Sequence, residues 1–200
     1  MELKDSMMAM RGEILVRALD LDGTCLYRYE GPNTITYTAP LVVMDLLMQK
    51  ELDPGLNESA SHPADANRGF GAGVSNVTNP NHNAIRYMRI GKSNQAAQRS
   101  DTALVDQIGA ASDDGTETVT DILFPSNAAI RFVALFGAAK ANVSPLTIEE
   151  VSLWTRGSSL VEDLSTVGFA NSRMFARQIH APIAKTAAIQ LEYTWTIYLT

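Results

Sequence analysis

Across residues 189–200 apolar and polar positions alternate without a slip. Ile189, Leu191, Tyr193, Trp195, Ile197 and Leu199 are apolar, and Gln190, Glu192, Thr194, Thr196, Tyr198 and Thr200 fall between them. A period of two predicts a half-buried strand with the odd row in the core, roughly 40 Å long at about 3.3 Å per residue. A strand of that kind must be paired, so a sheet is expected to hold it. Ile14 to Leu19 and Thr24 to Tyr29, on either side of Asp20-Leu-Asp-Gly23, predict a hairpin. Residues 84–90 predict a strand that stops at Gly91. Residues 119–136 are strand-like with a break at Pro125-Ser-Asn127, after which Ile130, Phe132, Ala134 and Phe136 alternate with Arg131, Val133 and Leu135. Leu146 and Ile148 share a parity that Val151 and Leu153 do not, so a bulge is expected at Glu149-Glu150. Residues 173–180 alternate again, and Pro182 is expected to end that strand or place it at an edge.

Helical spacing is rarer. Thr38 as a cap, Pro40 in the first turn, and Leu41, Met44, Leu47 and Met48 on one face predict a helix packed on the sheet. Residues 100–108 predict a second, short helix, and Ser112-Asp-Asp-Gly115 a turn. Residues 53–84 are a long polar stretch containing Gly69-Phe-Gly-Ala-Gly73; a loop of this length is expected to serve surface contact. Residues 1–11 hold Met1, Met7, Met8 and Met10, and either dock on a neighbour as an adaptable arm or begin the chain in disorder. The expected fold is mainly β: an antiparallel β-sandwich, jelly-roll-like, with one or two short helices and long loops. An arm over 1–11 and a single domain over 12–200 are the expected divisions.

The 200 residues suffice for one sizeable core, and 46% hydrophobic with 19% charged residues is an ordinary globular composition. No run reaches the roughly 20 apolar residues of a spanning helix, so no membrane insertion is expected. A net charge of −6 and a pI near 5.0 argue against nucleic acid as the main partner. Cys25, the one cysteine, leaves no internal disulfide and no thiol zinc cluster. The first residues, Met1-Glu-Leu-Lys-Asp, lack a secretory pattern, and assembly in the cytoplasm is expected.

The candidate chemistry is thin. Leu19-Asp-Leu-Asp-Gly-Thr24 resembles the first motif of haloacid-dehalogenase-type phosphatases. By that resemblance Asp20 would be the nucleophile and Asp22 the general acid of a magnesium-dependent phosphatase, with Asp113-Asp114 imitating the later acidic pair. That family needs helices alternating with parallel strands, whereas Asp-Leu-Asp-Gly is also what a hairpin turn demands. The glycines at 69–73 have neither a preceding strand nor a following capped helix. His62, His82 and His180 show no metal-ligand spacing and are expected at the surface. Cys25 has no evident histidine partner, and no serine sits in a nucleophile elbow. No catalytic set, cofactor or metal site is expected.

Taken in order, several segments resemble a module of tailed-bacteriophage virion proteins: tail-fibre, baseplate, neck or capsid-decoration subunits. Asn33-Thr-Ile35 leads into the apolar helix, and Ile85-Arg-Tyr-Met-Arg-Ile-Gly91 follows the glycine-rich loop. Thr102-Ala-Leu104 and Ile130 to Phe136 come next, and Leu146-Thr-Ile-Glu-Glu-Val-Ser-Leu-Trp154 is similar to a Thr-Ile-x-Glu-x-Gly-Leu pattern with Ser152 in place of the glycine. Phe175-Ala-Arg-Gln178, Pro182-Ile-Ala-Lys-Thr186 and Thr194-Trp-Thr-Ile197 close the series. The resemblance implies a non-catalytic structural subunit of the virion. It would form homo-oligomers, contact other virion proteins and use residues 1–11 and 53–84 for those contacts. A receptor- or glycan-binding β-sandwich of a phage tail is the alternative, although Phe70 is the only aromatic within 53–84.

Overall fold

A computed structural model describes residues 10–39, 85–109, 114–126, 128–141, 146–155 and 173–199. Outside the described residues lie positions 1–9 of the expected arm, the helix beyond Ala39, the loop 53–84, His62, His82 and Asp113. Met10 and Arg11, which the sequence places in the arm, belong to the first strand.

The fold is mainly β and antiparallel throughout its nine described strands. β1 (Met10–Leu19) and β2 (Cys25–Ile35) form the expected hairpin. Asp20 builds its turn, with Oδ1 accepting the N–H groups of Asp22 at 3.0 Å and Thr24 at 2.7 Å while Gly23 takes φ +84°. β9 (Gln190–Leu199) lies between β1 and β6 (Ala129–Phe136), so that Trp195 stands opposite both Ile14 and Phe132. The odd row is the core: Leu191, Tyr193 and Trp195 are 0% exposed and Ile197 4%. β5 (Asp121–Ser126) completes this half at the edge; its pairing with β6 is irregular between Leu123 and Ser126, and Asn127 of the expected break lies outside the described residues.

The second half runs from β8 (Met174–Lys185) through β7 (Leu146–Thr155) and β3 (Ile85–Gly91) to β4 (Thr116–Thr118). The sheet curls so that both halves share one core. Val16, Phe132, Phe136 and Trp195 from the first belong to the same cluster as Ile90, Val151, Leu153 and Phe175 from the second. The halves differ in their outer faces. β1 and β9 alternate buried and half-exposed residues, as strands wetted on one side do, whereas β3 and the latter part of β7 are buried on nearly every residue.

Two junctions link the halves. At one, β2 pairs with β8 only through Thr34 opposite Arg177 and Ile35 opposite Ala176. At the other, the chain passes from β4 to β5 through Val119 and Thr120, and these two residues serve different halves: Val119 N–H donates to Arg86 O and Thr120 N–H to Val133 O, both at 2.8 Å. A segment that reads as one strand therefore turns a corner and switches sheets. The expected irregularity at Glu149-Glu150 is present: Ile148 faces Ile183 and Glu150 faces Ile179, four positions of β8 against two of β7. Pro182 falls in that irregular stretch. It neither ends β8, which runs on to Lys185, nor lies in a regular ladder, and a bulge is where an interior strand tolerates the missing N–H.

Residues 100–108 are not the expected short helix. They form an irregular connection, because the backbone N–H groups of Val105 and Asp106 donate to the Glu150 carboxylate at 3.2 and 2.8 Å instead of to helical carbonyls.

Candidate functional site

Residues that the sequence separates widely converge on Glu150. Its Oε2 accepts from Arg177 Nε at 3.1 Å and Nη2 at 2.8 Å and from Val105 N–H, while Oε1 accepts from the N–H groups of Asp106 and, at 3.4 Å, Ser93. Arg177 reaches on to Asp101 Oδ2 at 2.7 Å and to the Gln95 carbonyl at 3.0 Å. Both side chains of the pair are 0% exposed. An ion pair without water is stable only when its remaining donors and lone pairs are satisfied, and here the connection 92–108 satisfies them by folding over the outer face of β7 and β8.

Gly91 permits that approach. A Cβ there would strike Glu150 Oε1 and stand 2.6 Å from the Asp106 carbonyl oxygen. Gly91→Ala is therefore expected to cost about 1–3 kcal/mol, as overpacking of a filled site does. Urea denaturation checks this, and a loss below about 0.5 kcal/mol would show that the loop yields without cost. Beside the ion pair, Arg89 stacks over Trp154 at 4.1 Å, and burial pushes its guanidinium down to about 10. Trp154 Nε1 donates to Ser152 Oγ at 2.6 Å, which gives the serine of that strand a structural role. Glu150, with five donors on two oxygens, is closed to substrate or metal. The cluster is a structural node.

Among the described residues an open polar face lies on the other half. Its outer face holds an open cavity of about 880 Å³ across β5, β6, β9, β1 and β2. Arg17 Nε donates to Glu192 Oε1 at 2.9 Å, Arg28 pairs with Glu30, and Arg11 pairs with Glu13 at 3.4 Å while stacking on Tyr198 at 4.6 Å. Tyr198 in turn donates to Glu13 Oε2 at 3.0 Å, which raises the pKa of its hydroxyl. Arg131, the fourth arginine of the floor, meets Thr196 Oγ1 at 3.4 Å. This surface can exchange hydrogen bonds with a polar ligand. Along its rim the edge strand β5 exposes apolar groups, Leu123 at 47% and Phe124 at 68%.

The candidates singled out in the sequence fall elsewhere. The carboxylate of Asp20 is built into its own turn on an antiparallel hairpin, not at the end of a parallel strand followed by a helix, as the phosphatase resemblance implied. Asp114 anchors a loop by accepting from the N–H of Ala141 at 2.8 Å. Cys25 is exposed, its thiol donating to the Tyr27 carbonyl. His180 is not at the surface: it is 4% exposed, with Nδ1 2.8 Å from Ala181 O and Nε2 3.1 Å from Tyr193 Oη. Among the described residues no group of three His, Cys, Asp or Glu side chains could hold a metal ion. Sequence reading missed Glu150 and Arg177 because a charge in an alternating strand ordinarily faces water; the signal available was that both lie in segments otherwise rich in apolar residues on both parities. No protein-family model, curated protein or solved structure matches this chain.

Proposed function

We propose that the chain is a structural component of a tailed-phage virion, assembling with copies of itself and with other virion proteins, and that its role is architectural rather than catalytic. The observation that carries this reading is the edge strand β5, whose Leu123 and Phe124 stand in solvent beside the polar outer face. Edge strands of monomeric proteins are usually blunted by charge or cover, and large apolar groups left on one mark a surface that a neighbour covers. The wide antiparallel sheet and the node that locks loop 92–108 suit a stiff subunit. The order of sequence segments resembling virion modules supports the same reading.

The test is to image particles carrying a tagged copy and to compare incorporation of Leu123→Asp/Phe124→Asp with that of the unaltered chain. Both changes sit on exposed positions, so the fold is expected to survive while incorporation and self-association, followed by light scattering, fall at least tenfold, the effect of about 1.4 kcal/mol. Absence from particles, or undiminished assembly by the double variant, would overturn the proposal. The open cavity favours a second reading, a receptor- or glycan-binding module, for which Arg131→Ala would abolish binding to a glycan array without changing assembly.

A further inference from the structure

Beyond Arg177 the β2–β8 junction has no backbone ladder, and side chains hold it. Gln178 Nε2 donates to Tyr29 Oη at 3.3 Å, the Tyr29 ring lies 6.3 Å from that of His180, and His180 meets Tyr193 of β9. The tautomer of His180 follows from its partners. The Ala181 carbonyl only accepts, so Nδ1 carries the proton and Nε2 accepts from the Tyr193 hydroxyl. Among the described residues the rings facing it are Tyr29 on β2 and Tyr193 on β9, with Tyr27 of β2 acting on Tyr193 and Phe136 of β6 set edge-on to it at 5.6 Å. On β7 the buried carboxylate of Glu150 is committed to Arg177 and to the loop amides. On β8 itself Lys185 Nζ is turned to the carbonyls of Thr186 and Ala138.

We propose that His180 and Tyr193 form an acid-sensitive latch on the β2–β8 junction: protonation of the imidazole removes the acceptor for the Tyr193 hydroxyl, places a charge in an apolar core, and releases the junction while the β1–β9–β6 ladder stays paired. The direction follows from linkage. Burial lowers the pKa of His180 in the closed state, whereas the opened state titrates near the ordinary value of about 6.5. The opened state thus binds the proton that the closed state refuses. Closure is at full strength above about pH 6.5 and weakens roughly tenfold per pH unit below it, until the closed-state pKa is reached.

Hydrogen exchange at pH 7.5 and 5.5, expressed as protection factors, tests this above the ordinary carboxylate range. The reporters are the Thr36 amide, bonded to Phe175 O at 3.1 Å, and the amides of Thr34 and Arg177, which stand opposite each other across the junction. Their protection is expected to fall about tenfold at the lower pH, with β1–β9 amides unchanged, and the difference is expected to vanish in His180→Gln. A fall that persists in the variant, or no fall in the unaltered chain, overturns the latch. Should His180→Gln not fold, ring NMR of the unaltered chain decides. His180 is expected to keep its neutral Nδ1–H form at pH values where a free histidine is already charged, and titration near 6.5 in the folded chain refutes the proposal.

Discussion

Arg177→Ala is expected to destabilise the chain by about 3–5 kcal/mol, the range found when one partner of a buried ion pair is removed. The reason is what stays behind: Glu150, 0% exposed, would keep its charge with only backbone N–H groups to compensate it. Asp101 and the Gln95 carbonyl would lose their donor in the same step. The loss should therefore be accompanied by release of loop 92–108, seen as new protease cleavage within it. Arg177→Lys should recover little, because one ammonium cannot reach Glu150, Asp101 and the Gln95 carbonyl together as the guanidinium fork does. Replacing both partners by apolar residues, as Glu150→Leu/Arg177→Met, should also fail to restore stability, since the amides of Ser93, Val105 and Asp106 would lose their acceptor. Chemical denaturation measures all three. A loss below about 1 kcal/mol for Arg177→Ala, with the loop still protected, would mean that the loop is held by something other than this node.

Trp195→Ala is expected to cost about 3–5 kcal/mol, by removing a fully buried side chain between Ile14 and Phe132 and leaving a cavity that their strands cannot close. A polar cost adds to it. The indole N–H donates to the side-chain carbonyl of Asn33, whose amide lies against Gly12 and donates to its carbonyl at 3.3 Å. Trp195→Phe separates the two contributions, since it keeps most of the volume and forfeits the hydrogen bond; about 1–3 kcal/mol is expected for the unsatisfied acceptor and the smaller ring. Urea titrations give both values, and a near-neutral Trp195→Ala would contradict the placing of the odd row in the core.

β9 and β1 were legible because each is wetted on one face and buried on the other, so their chemistry alternates with the pleat. The hairpin at 20–23 was legible because its turn is built from local groups, Asp20 and Gly23. What escaped reading is non-local. Val119-Thr120 continues a β-rich run and carries no turn residue; only the different partners of its two N–H groups make it a corner. Residues 100–108 have helical spacing, but their amides are claimed by a carboxylate more than forty positions away. His180 closes the alternating run 173–180 two residues before Pro182, which suggests an exposed end, yet the irregular pairing between Ile179 and Ile183 turns it inward onto Tyr193. Each case is decided by a partner that the local pattern does not contain.

The pairing of Met10 with Leu199 has a consequence for how the molecule comes into being. β9 forms the ladder on both of its sides, to β1 and to β6, and it is made from residues 190–199. A chain emerging from the ribosome at about 5–20 residues per second therefore carries the β1–β2 hairpin and the β5–β6 hairpin for seconds with no strand between them. During that interval Val16, Phe132 and Phe136 have no core to enter. Pairing of this half waits until residues 190–199 have been made, and the hairpins must meanwhile be kept from finding strands on other nascent chains.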